Sequence, residues 1–144
     1  MAKAEANLAL SRLDDPRRQA ARAKVRTGDP EATARRAAAA ALEKKAEDVV
    51  LIDLRKHSSY ADFLVVCSGT NERQLEAISE GVEKSLRESG ETAIGTEGAR
   101  GGHWVLLDFG DVVVHVFAQD ERAYYDLEGL WSDAPAEHVG GSGV

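Results

Sequence analysis

An α/β fold built on a mixed sheet is what the order of apolar runs predicts. Two β-rich runs, residues 48–54 (DVVLIDL) and 61–67 (ADFLVVC), are almost continuously apolar and read as central strands. A strongly periodic helix follows them, with Leu75, Ile78, Val82 and Leu86 on one stripe. Residues 103–109 and 112–118 then form a hairpin around Gly110-Asp111. A hairpin is antiparallel, whereas a helix between strands permits a parallel crossover, so the sheet is expected to be mixed and packed with helices.

Taken in order, residues 4–13 and 16–25 read as two short helical pieces, with Asp15-Pro16 as cap and first helical position of the second. Leu8, Leu10, Leu13 and Val25 are the only aliphatics larger than Ala in this arm, which is therefore expected to stay mobile until a partner orders it. Asp29-Pro30 repeats the cap signal and opens an Ala-rich helix over about residues 31–46. After the two strands, Thr70 or Asn71 caps the periodic helix, which runs to about Glu88 with Gly90 beyond its end. A short strand near 92–94, a Gly-rich loop at 95–102, the hairpin and a last helix over about 120–131 complete the body. That last helix is expected to pack Tyr124, Leu127, Leu130 and Trp131 on one side. The organisation predicted is a basic helical extension at 1–29, one α/β domain at 30–132 and a flexible tail at 133–144, ending in GGSGV.

With 144 residues the chain suits one domain with extensions. Its single cysteine, Cys67, rules out an internal disulfide, and no segment supplies the roughly 18 uncharged apolar residues of a membrane helix. A cytoplasmic address follows, since the N-terminus lacks the apolar stretch of a secretory signal. The first thirty residues hold seven Lys or Arg and four Asp or Glu, while the rest of the chain is net −10. An acidic body repels phosphate backbones, so any nucleic-acid contact falls to the arm and the body should meet a basic protein.

The hairpin register carries the functional reading. It pairs Phe109 with Val112, Leu107 with Val114, Val105 with Val116 and His103 with Ala118, which is plain core. The opposite face collects Trp104 against Phe117, Leu106 against His115 and Asp108 against Val113. Such a face is either roofed by a helix or left bare as a protein-docking surface; an aromatic and aliphatic cluster punctuated by Asp and His has the make-up of a docking surface, and its residues alone leave both readings open.

Other chemistry is weaker. The Ser68-Gly69 turn into a helix N-terminus is an ordinary cap rather than a phosphate loop, and lacks Gly-Lys-Ser/Thr. A metal-dependent nucleotidyltransferase or nucleotide-binding protein is the alternative class, but the Asp-x-Asp spacing it needs is missing. His57, His103, His115 and His138 never reach metal-ligand spacing with Cys67, which reads as core. No catalytic residue, metal or cofactor is expected.

The succession AEDVVLIDL, SSYADFLVVCSGTNERQ, TEG, HWVLLDFGDVVVHVF and RAYYDLEGLW closely resembles the ribosomal silencing factor family, also called Iojap, over about residues 37–131. That resemblance implies a nucleotidyltransferase-like fold without enzymatic activity. It further implies binding to large-subunit ribosomal protein fourteen, steric exclusion of the small subunit, and damped translation when nutrients are short. Family members also accompany large-subunit assembly, and some form homodimers. The family's Trp-x-x-x-Asp strand maps onto Trp104 and Asp108. Trp104, Leu106, Asp108, Phe117, His115 and Glu97 are accordingly the expected partner-binding residues, and Arg17, Arg18, Arg22 and Lys24 the expected contacts to ribosomal RNA.

Overall fold

Local signals set most element boundaries. Helix α1 (Pro16–Lys24) starts at the Asp15-Pro16 signal, and α2 (Pro30–Glu43) follows Asp29, whose side chain accepts from the Ala32 amide at 3.2 Å. Strands β1 (Glu47–Asp53) and β2 (Phe63–Gly69) lead to α3 (Glu72–Glu88), which Asn71 caps by accepting from the Gln74 amide at 2.8 Å. Then come β3 (Gly95–Glu97), β4 (Trp104–Asp108), β5 (Val112–Ala118), the short helices α4 (Gln119–Tyr125) and α5 (Leu127–Leu130), and β6 (Ala136–Gly140). This computed structural model describes residues 13, 15–24, 28–98 and 103–141.

The strands form one six-stranded mixed sheet in the order β3-β4-β5-β2-β1-β6. Only β2 and β5 pair in parallel, the chain between them crossing over through α3 and returning through β3 and β4; every other neighbour is antiparallel. The hairpin register is the one that side-chain alternation dictates, with Trp104 opposite Phe117, Val105 opposite Val116, Leu106 opposite His115 and Leu107 opposite Val114. Gly110 takes φ +90°, which the first position of a two-residue II′ turn requires and which a Cβ would oppose.

Helices α2 and α3 cover one face of the sheet. Val105, Leu107, Phe109, Val112, Val114 and Val116 pack there against the Ala side of α2 and against Leu75, Ile78, Val82 and Leu86. Cys67 is sealed in this core, and burial pushes its thiol up to about 12, so it stays a protonated, unreactive side chain.

Five expectations are corrected. The segment at 15–24, expected to wait for a partner, is seated on the chain's own body; residues 1–12, 14 and 25–27 lie outside the described residues, and with them all but Leu13 of the helical piece expected at 4–13. The tail contributes β6, whose backbone pairs with β1, so residues 136–140 belong to the sheet. The expected strand at 92–94 falls instead at 95–97, inside the presumed glycine loop, because β3 needs a partner and finds Leu106 to Asp108. The last helix is broken at Asp126, whose φ of 48° is left-handed. The break turns Tyr125 inward and leaves Tyr124 50% exposed, against the expected packing of Tyr124. Finally, the Trp104 face is not bare: α4, α5, Tyr60 and Leu13 close it as a second core.

Candidate functional site

Trp104 begins β4 and is half-buried. Its ring stacks 4.9 Å from Phe117, its cross-strand partner, and lies 4.6 Å from Tyr125 of α4. Its indole N–H donates to His115 Nδ1 at 2.9 Å, which places the proton of the neutral imidazole on Nε2. Burial pushes His115 down to about 3, so the ring stays neutral and serves as an acceptor beneath the tryptophan. Leu106 is 6% exposed, and His115 and Phe117 are fully enclosed. These three shape the platform under Trp104 instead of presenting their own surface, which corrects their expected role as direct contacts. Glu97 lies on β3, paired with Leu106, and is partly exposed at the rim.

Asp108 ends the same strand and is turned into an acidic cradle. Its carboxylate accepts from the Gly110 amide at 2.9 Å, stiffening the hairpin turn. The same carboxylate takes a two-pronged contact from Arg18, Nε at 2.8 Å and Nη2 at 2.9 Å. The remaining N–H groups of Arg18 reach the carbonyls of Leu13, Tyr60 and Gly110, so all five donors are used. One helical turn on, Arg22 contacts Asp111 at 2.9 Å, Asp62 at 3.1 Å and the Ser59 carbonyl at 2.9 Å. Arg18 is 9% and Asp108 6% exposed, and an ion pair this sheltered is tolerable only because its donors are saturated. Glu91 reports the negative field here: burial and then the Asp111 charge raise its carboxyl above the usual range.

These contacts correct the arm's expected role as well. Arg18 and Arg22 face the protein's own carboxylates rather than RNA, whereas Arg17, 95% exposed, and Lys24 point to solvent. Asp111 and Tyr60 are site residues that sequence reasoning missed. Asp108-x-x-Asp111 around the hairpin turn, together with Arg18-x-x-x-Arg22, was the available signal: two carboxylates at one strand end and two guanidinium groups on one helix face.

Among the described residues no group of three or more His, Cys, Asp or Glu side chains could hold a metal ion, and no helix is long and apolar enough to cross a membrane.

A family profile described as "Ribosomal silencing factor during starvation" matches residues 27–142. The chain belongs to the ribosomal silencing factor family. Two relatives named "Ribosomal silencing factor RsfS" align over 99 residues. The one from Halalkalibacterium halodurans is 48% identical, covering 69% of this chain and 85% of its own. The one from Bacillus subtilis is 46% identical, covering 69% and 84%. A crystal structure of a Chromobacterium violaceum protein superposes with a TM-score of 0.71 at 34% identity, over 80% of this chain and 96% of that one. The family is named for a silencing factor, and membership gives this chain the coarse role of regulating translation or ribosome assembly. The match takes in β6 and leaves out α1, so the strap that α1 forms through Arg18 and Arg22 lies outside the family body.

Proposed function

We propose that the protein represses translation in the cytoplasm by binding the large ribosomal subunit at ribosomal protein fourteen, where its bulk excludes the small subunit. The observation that carries this reading is Trp104, partly exposed at the β4 rim on a bed of Phe117, His115 and Tyr125, with Glu97 on the neighbouring strand and Asp108 at the far end of its own. A preformed aromatic anchor loses little side-chain entropy on docking. The acidic surroundings complement a basic ribosomal protein and favour fast, oriented encounter. Asp108 would join that contact once Arg18 is displaced, with Glu97 at the rim; Arg17 and Lys24 would add salt-sensitive contact to ribosomal RNA. A homodimer would draw on the same rim.

Co-sedimentation with purified large subunits, followed by a subunit-joining assay, tests this. The wild-type chain should travel with large subunits and reduce joining. Glu97→Lys should slow association, and Trp104→Ala should weaken binding more than tenfold, about 2 kcal/mol for an interface anchor. Absence from the large-subunit fraction, or undiminished joining at saturation, would contradict the reading.

A further inference from the structure

The cradle around Asp108 consists of acceptors: the carboxylates of Asp62, Asp108 and Asp111 and the carbonyls of Ser59, Tyr60 and Gly110. Its geometry is that of a receptor for two guanidinium groups one helical turn apart. Its present occupant is loosely invested in the fold. Helix α1 sends no apolar side chain into the core, its sheltered side chains being Arg18 and Arg22, 9% and 17% exposed, and Leu13 is the one described apolar side chain that the segment sends into the second core. A groove of about 380 Å³ remains open between the segment and the β3–β4 edge, lined by Leu13, Arg17, Ile94, Glu97 and Leu106 among others. What holds the segment is therefore Arg18 and Arg22 together with Leu13, and on release the arginines and the carboxylates recover water, which repays much of what the lost ion pairs supplied.

From this we infer that residues 13–24 are a built-in competitor for an arginine-bearing segment of a basic partner protein, and that the cradle is the site at which the two exchange. The acidic body and the acceptor-only lining select a cationic protein over a phosphate-bearing one. Arginine is specified over lysine because both occupied positions take several convergent N–H groups in a planar fork. A tethered competitor acts at an effective concentration near the millimolar range, so only a partner of matching or multivalent strength opens the site. The inference deepens the docking reading in one respect, that the partner met through Asp108 must first remove Arg18; the cradle's arginine selectivity stands apart from ribosomes.

The test uses the full chain carrying Arg18→Ala and Arg22→Ala, probed with a labelled peptide of residues 13–24. The opened variant should bind that peptide at least tenfold more tightly than the wild-type chain does. It should also bind it at least tenfold more tightly than a control peptide with both arginines replaced by glutamine. Equal binding of the two peptides, or by the two chains, overturns the inference. So does a variant that loses its folded circular-dichroism spectrum, because a segment the fold cannot do without is no replaceable occupant. A wild-type chain that sediments as a strap-exchanged dimer would reassign the occupant to a second copy and also overturn it. Large subunits form the separate arm. If the peptide binds selectively while the variant's affinity for large subunits is unimproved, the cradle stands and Asp108 drops out of the proposed ribosomal contact.

Discussion

Leu107 and Asp108 are neighbours on one strand, yet their surroundings are held in place by different physics. Leu107 lies beneath α2 and α3, where Ala, Leu, Ile and Val side chains close over it and no charge takes part. Asp108 lies beneath a segment from the other end of the chain, 90 residues away, attached through guanidinium groups. Removing the first cover would expose a whole apolar face with nothing to repay it, whereas removing the second exposes little apolar surface beyond Leu13 and otherwise exchanges one set of hydrogen bonds for water. The sheet thus has a face committed to stability and a face closed by a replaceable contact.

That contrast is broken most strongly by Leu107→Ala, which should lower the unfolding free energy by about 2–5 kcal/mol in urea titrations. A loss below about 1 kcal/mol would mean that the α2–α3 face is not close-packed.

Acid should act on the other face through His115. The folded protein keeps the ring neutral, with its value pushed from 6.5 to about 3, so below pH 6.5 the unfolded chain takes up a proton that the fold refuses. Stability therefore falls as the pH drops from 6.5 towards 3, by up to about 1.4 kcal/mol per pH unit. Below the ordinary carboxylate range Asp53, held low by its hydrogen bonds from Arg55, adds a loss of the same sign. His115→Gln, which can still accept from the Trp104 indole, should flatten the profile between pH 6.5 and 4.5 and leave the more acidic limb. An unchanged slope would place the titration elsewhere.

Arg18→Ala sharpens the comparison. Breaking a buried ion pair in a locked interior costs about 3–5 kcal/mol, because the surviving charge stays buried. If the strap lifts instead, Asp108 rehydrates and the loss should stay below about 2 kcal/mol in the same titration. The smallest effect belongs to the exposed Arg35–Glu137 pair on the α2 side, at 2.9 Å: Glu137→Gln should leave the urea midpoint where it is.

The strand pairing of the hairpin was legible because a two-residue turn fixes register and alternation then assigns every side chain to a face. Caps at Asp29 and Asn71 were legible for a similar reason, being decided within four residues. The cover of the Trp104 face was not. It depends on Arg18 finding Asp108 and on Leu13 entering a core made by residues 50–134, contacts that no local pattern encodes. The arm's scarcity of aliphatics pointed to mobility because apolar content tracks burial, while the strap is held by charge. Asp126 broke the last helix through a left-handed backbone that its helical neighbours gave no reason to expect, and so exchanged Tyr125 for Tyr124. In the tail, the glycines around Val144 masked a strand that needs only backbone pairing with β1. Within the candidate site, Trp104 kept its place at the rim; Leu106, His115 and Phe117 moved beneath it, and Asp108 acquired an internal partner.

Amide hydrogen exchange on the intact chain addresses the replaceable cover most directly, read over α1 and α3 in one experiment. Helix α1 should exchange through a local opening orders of magnitude faster than the core of α3, and addition of excess peptide 13–24 should speed it further while α3 stays unchanged. Equal protection of the two helices, with no response to the peptide, would contradict the account.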